Sequence, residues 1–143
     1  MKRGQFYSKT DAYRIKKPVW ACLKCGWFTT EGKTRDCQDC HNEAMDHFDS
    51  SGEYFEWKRL QLLEKCGEIS KLERQVRFDF FAFAELSQKP VQIFFYKADF
   101  RYVDKKGNII VRDYKPAGEF GLDGVFKLKR RAMKLVYGIE VVI

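Results

Sequence analysis

Four cysteines in two tight pairs, Cys22-x-x-Cys25 and Cys37-x-x-Cys40, constrain this chain more than any other feature of its sequence. Each Cys-x-x-Cys closes a knuckle that aims both sulfurs at one point. Two knuckles supply the four thiolates that a tetrahedral structural Zn2+ takes. Gly26 suits the turn after the first pair, and the eleven residues between the pairs have room for a small hairpin around Thr29–Lys33. The alternatives are a disulfide, which a reducing cell disfavours, and a redox site, which needs only one pair. With four thiols at hand, His41 and His47 are expected at the surface. A closed four-ligand site leaves no open position for chemistry, so the zinc is expected to be structural.

Over about residues 20–41 this module resembles a zinc ribbon, within a segment spanning 18–48. Lys24, Trp27, Phe28, Lys33 and Arg35 are placed to stack and pair with nucleic acid, the alternative being that Trp27 and Phe28 pack the module's small core. The whole chain has 143 residues and a net charge of +7, which favours a polyanionic partner. At 45% hydrophobic and 16% aromatic it has material for a real core. It holds no long apolar run and no apolar N-terminal region, so a cytoplasmic protein without a membrane partner is expected. The fifth cysteine, Cys66, is expected to be a packed, inert thiol on a helix.

Residues 1–17 carry six Lys/Arg against one Asp and form a basic arm, either solvated or laid along phosphates. After the module, the periodicity predicts a helix over about 53–66 stopped by Gly67, then a strand in "EISKLERQVRFDFFAF". A hairpin follows with Asp104–Asn108 as its loop, then a Gly-rich loop. A second helix over about 125–137 and a closing strand in "IEVVI" complete the order helix, three strands, helix, strand.

The hairpin "YKADFRYVDKKGNIIVRDYKP" holds the most informative charges. With that loop, residue i faces residue 212 − i, so Asp99 meets Asp113 and Lys115 falls opposite Lys97 on the same face. Phe94, Tyr96, Ala98, Phe100 and Tyr102, with Ile110 and Tyr114 across from them, form the core face. Facing carboxylates repel, and a sequence keeps them when something positive lies between. A divalent hard cation such as Mg2+ fits, because it takes one or two protein carboxylates and retained waters. It also lowers the pKa of a bound water and stabilises charge on a phosphorane-like transition state. A nearby lysine orients that water or neutralises the charge. The competing reading is a surface ion cluster, with Lys97, Arg101 and Lys115 screening two exposed acids.

Asp99, thirteen residues, then Asp113-Tyr114-Lys115 resembles the PD-(D/E)XK nuclease motif. The order of elements from residue 53 is similar to the αβββαβ core of that superfamily. "GEISKLERQVRF", "KADFRYVDKKGNIIVRDYK" and "VFKLKRRAMKLVYGIEV" resemble its phage endonuclease I and Holliday-junction-resolvase-like group over two-thirds of the chain. The resemblance implies a restriction-endonuclease-like α/β domain over 49–143. It also implies a catalytic Mg2+ or Mn2+ held by Asp99, Asp113 and Glu53 with the Tyr114 backbone carbonyl, and Lys115 acting on the water. Glu53 is equally placed to complete a capping box with Ser50, Glu56 is a lesser candidate, and Gln75 matches a position near the metal. Ala98 stands where proline is common, and Pro116-Ala117 where close relatives usually have glycine. The resemblance further implies phage DNA processing in the host cytoplasm, on branched DNA, as a homodimer.

On the second helix Lys127, Arg130, Arg131 and Lys134 share one face, and Lys129 points elsewhere. Val125, Leu128, Ala132, Leu135 and Val136 are expected on the buried side. Four cations without an intervening acid repel one another, and phosphate binding would offset that cost. A Mg2+-dependent endodeoxyribonuclease is therefore expected, the alternative being a non-catalytic zinc-ribbon DNA-binding or regulatory protein with an inactive core.

Overall fold

A computed structural model describes residues 18–34, 36–41, 43, 45–83, 89–116, 118 and 122–143. The basic arm, Arg35 and part of the Gly-rich loop lie outside them. The chain divides into two compact units, 1–58 and 59–143. Together the described residues form a mixed α/β protein with two sheets and two helices.

In the first unit, β1 (Val19–Cys22) lies between β2 (Phe28–Thr29) and β3 (Met45–Phe48), antiparallel to both. Alternation sends Val19 and Ala21 inward, where they meet Phe48 and Tyr54, with Trp57 packed against the cluster. Tyr54 and Trp57 lie on α1 (Ser51–Lys65). Its N-terminus is closed by Ser50, whose Oγ accepts from the Glu53 N–H at 3.2 Å. The Glu53 carboxylate reaches back to the Asp49 N–H at 3.1 Å, one residue earlier than an ideal capping box.

In the second unit, α1 ends as expected at Gly67, in left-handed backbone with φ +73°. The Glu68 N–H reaches the Leu63 carbonyl at 2.9 Å, which closes the last turn. Cys66 is exposed in that turn rather than packed, because the helix stops at Lys65 and turns the thiol out. The sheet that follows is ordered β4 (Ile69–Phe83), β5 (Pro90–Asp104), β6 (Ile109–Arg112) and β7 (Val141–Val142). The first three are antiparallel, β7 is parallel to β6, and α2 (Gly124–Tyr137) makes the crossover between them. Helix, three strands, helix, strand is the order expected.

The β5–β6 loop is closed by one side chain. Asp104 Oδ1 accepts from the N–H groups of Lys106 and Asn108 at 2.8 and 2.9 Å, and Oδ2 from the Asn108 amide at 3.0 Å. These bonds, led by the Asn108 side chain, hold the Asp104 pKa below its usual value. A carboxyl with a lowered folded pKa stabilises the fold fully above its unfolded value, and that contribution is lost as pH falls through the folded one. Asp104→Asn is therefore expected to lower the melting temperature at pH 7, and the gap to wild type to close on acidification. A gap that stays constant down to pH 2.5 would contradict this.

The core of this unit joins Phe78, Phe80, Tyr96, Ala98, Val111, Phe126, Met133 and Val141. Two expectations about it are corrected. On β6 the fully buried residue is Val111, not Ile110, since β7 pairs Val141 beside it and α2 covers both. On α2 the buried residues are Phe126 and Met133, while Val125, Leu128, Leu135 and Val136 are exposed. The apolar arc of α2 is wider than the strip its sheet covers, and the covered strip is the one carrying the larger Phe126 and Met133.

Candidate functional site

The four thiols of the first unit converge. Their sulfurs all lie within 4.8 Å of one another, with Cys22–Cys40 at 3.6 Å and Cys25–Cys37 at 3.5 Å. A Zn–S bond of about 2.3 Å in a tetrahedron places sulfurs about 3.8 Å apart, so the cage fits the ion. A disulfide would need about 2.0 Å. Backbone geometry builds each knuckle: the Gly26 N–H returns to the Cys22 carbonyl at 3.0 Å, with Gly26 at φ +82°. In the second knuckle the Asp39 and Cys40 N–H groups point at Cys37 Sγ, each at 3.4 Å. The Cys25 backbone N–H leads in lowering the Cys22 thiol to about 6. Cys25 is pushed up to about 12: the Trp27 backbone N–H lowers it, but desolvation and the three neighbouring thiols prevail. Crowded thiols thus ionise unequally, and a cation among them removes the conflict.

Around this cage, Phe28 is half exposed and tilts against Tyr54 with ring centroids 5.0 Å apart, so it covers the core rather than filling it. The Lys33 ammonium lies 5.7 Å over the Trp20 ring, at the edge of an open cavity with Thr34, Glu43 and Met45. His41 and His47 are exposed.

The carboxylates lie in the second unit. The hairpin register is the one expected, with Val103 paired to Ile109 and Phe100 to Arg112. The ladder stops there, so Asp99 and Asp113 sit just past its end and Lys115 makes no strand pair with Lys97. Instead the Tyr114 N–H donates to Asp99 Oδ2 at 2.7 Å, which ties β5 to the segment carrying the second acid. The Asp113 N–H goes to the Val142 carbonyl on β7 at 2.9 Å.

Asp113 is only 5% exposed. Its Oδ2 accepts from the Tyr96 hydroxyl at 3.1 Å and faces Lys115 Nζ at 3.4 Å. Lys115 Nζ also lies 4.5 Å over the Phe126 ring, held by cation–π attraction. Burial leads in raising the Tyr96 pKa far above the usual phenol range. The charges of Asp113 and Asp99 add to the shift, and Arg130 opposes it. Both acids and Arg130 therefore lie within electrostatic reach of one hydroxyl. Arg101 does not screen them; it pairs with Glu73 on β4.

Gln75 also lies beside Asp99. Pairing of Arg74 with Phe100 and of Val76 with Ala98 sets it opposite Asp99. Its φ is +53°, a left-handed conformation inside a strand. A non-glycine residue there costs about 1–3 kcal/mol, and such strain collects at functional sites. Beside it the Arg74 guanidinium is lowered to about 10 by burial, against the pull of Asp99.

Glu53, 3% exposed, belongs to the first unit, where its carboxylate caps α1, and Glu56 lies one turn on. On α2, Lys127, Arg131 and Lys134 are exposed, while Lys129 and Arg130 are partly buried. The stripe is not wholly without an acid, since Lys134 lies 3.4 Å from Glu140 beyond the helix. Sequence reasoning missed two residues here: Tyr96, assigned only to the core, and Asp123, whose carboxylate caps α2 by accepting from the Phe126 N–H at 2.6 Å. An Asp immediately before an amphipathic run was the available signal for the second.

No family model, curated protein or solved structure matches this chain. No described helix is long and apolar enough to cross a membrane.

Proposed function

We propose that this chain is a Mg2+- or Mn2+-dependent endodeoxyribonuclease carrying a structural zinc module. One observation carries the reading. Asp113 is almost fully buried, and its Oδ2 is held between the Tyr96 hydroxyl at 3.1 Å and Lys115 Nζ at 3.4 Å. A carboxylate fixed in this way by a core hydroxyl and a lysine, with a second acid tied to the same segment, is a donor set that suits a hard cation. Asp99, tied to the same segment through Tyr114, is the second acid, and the Tyr114 carbonyl is a further ligand by resemblance. Such an ion would polarise a phosphoryl oxygen and activate a bound water. Lys115, 3.4 Å from Asp113, is placed to orient that water or to neutralise charge on the phosphorane.

Support for DNA as substrate comes from the net charge of +7 and from the exposed cations Lys127, Arg131 and Lys134. Arg130, whose charge acts on the same Tyr96 hydroxyl as those of Asp113 and Asp99, supports a link from that helix to the acids. The resemblance of the hairpin and flanking segments to resolvase-like nucleases adds branched DNA, a homodimer and a cytoplasmic setting. The test is a cleavage panel of linear, nicked, single-stranded and four-way DNA, plus RNA, with Mg2+ or Mn2+. Metal-dependent cutting of DNA is expected. Salt-sensitive binding without cutting of any substrate would instead favour a non-catalytic binding protein.

A further inference from the structure

We propose that Tyr96 is a positioning residue that fixes which oxygen of Asp113 is offered to the divalent cation. The inference rests on the reading of Asp113 as a metal ligand. A carboxylate turns easily about its last torsion, so two oxygens normally exchange places. Here they are not equivalent: it is Oδ2 that meets the Tyr96 hydroxyl at 3.1 Å and Lys115 at 3.4 Å. Lys115 alone cannot enforce this, because its long flexible stem follows either oxygen.

Tyr96 can. It is 2% exposed, its ring stacks with Phe78 at 6.3 Å and meets Phe126 edge-on at 6.4 Å, and its backbone sits in the sheet opposite Phe78. The hydroxyl is therefore held by the packed core rather than by a mobile side chain, which is the way outer hydrogen bonds orient a ligating group. The sheet thus contributes a fixed donor two strand positions from the core residue Ala98 and three from Asp99. Core and reaction centre share one side chain.

Loss of an outer partner of this kind typically weakens metal binding about 10–100-fold. Tyr96→Phe keeps the ring and removes only the donor. The experiment titrates Mn2+ into the full zinc-loaded chain by electron paramagnetic resonance, for wild type, Y96F, D113N and Phe78→Leu. Y96F is expected to bind Mn2+ at least about 10-fold more weakly, with unchanged DNA affinity, and saturating Mn2+ is expected to narrow its cleavage deficit. Phe78→Leu loosens the same core without touching the hydroxyl and is expected to lower the melting temperature but not the Mn2+ affinity. Equal binding by wild type and Y96F, or an equal loss in Phe78→Leu, overturns the role of Tyr96 and leaves Asp113 as a ligand. Absence of Mn2+ binding in wild type, or undiminished binding in D113N, overturns the Asp113 reading and this proposal with it.

Discussion

Asp113→Asn is expected to leave the chain folded and bound to DNA while cutting falls by roughly 10³-fold or more. A metal that stabilises charge on a phosphoryl oxygen supplies several kcal/mol, and about 4 kcal/mol corresponds to that factor. Asparagine keeps the shape of the buried group and the acceptor for the Tyr96 hydroxyl, but its neutral amide cannot hold a hard cation as a carboxylate does. Lys115→Ala is expected to match it in cleavage for a different reason. The metal stays, and the group that acts on the water goes. The two therefore separate in a Mn2+ titration: D113N loses binding and K115A keeps it. Cleavage by D113N at the wild-type rate would remove Asp113 from the mechanism.

Zinc removal has the other large expected effect. The core of the first unit is small, built mainly on Val19, Ala21, Phe48 and Tyr54, and domains of such size lean on a metal to fold. Structural zinc contributes roughly 10–16 kcal/mol at neutral pH in isolated small modules, more than such a core supplies. Chelation, or Cys37→Ser at the buried thiol, is expected to unfold the β1–β3 sheet. Amide exchange would show this as lost protection over 19–48. Acid is expected to act likewise, because the thiolates must stay deprotonated to hold the ion. Full protection of β1 after verified zinc loss would show that the four thiols are not a structural cage.

Much of this organisation was legible in the chain, for identifiable reasons. Cys-x-x-Cys spacing is a local constraint, so the cage could be read without knowing the fold. The β5–β6 register followed from a loop whose Asp104, Gly107 and Asn108 fix the turn. What sequence periodicity could not give was which side of a broadly apolar element the fold covers. On α2, Val125 and Leu128 fit the apolar arc as well as Phe126 and Met133 do, and only the sheet beneath selects between them. The same limit hid Tyr96, which alternation assigns to the core without saying that its hydroxyl ends on Asp113. Gln75 in left-handed backbone was invisible for another reason: it lies where β4 pairs with β5, a contact distant in sequence.

Manganese anomalous scattering from crystals of the zinc-loaded chain, grown with a few millimolar Mn2+, shows whether Asp99 and Asp113 share a divalent cation. A manganese peak bonded to Asp113 Oδ1, with Asp99 beside it and Oδ2 still on Tyr96, is the expected result. Well-ordered Asp99 and Asp113 with no manganese between them would rule out a shared cation there.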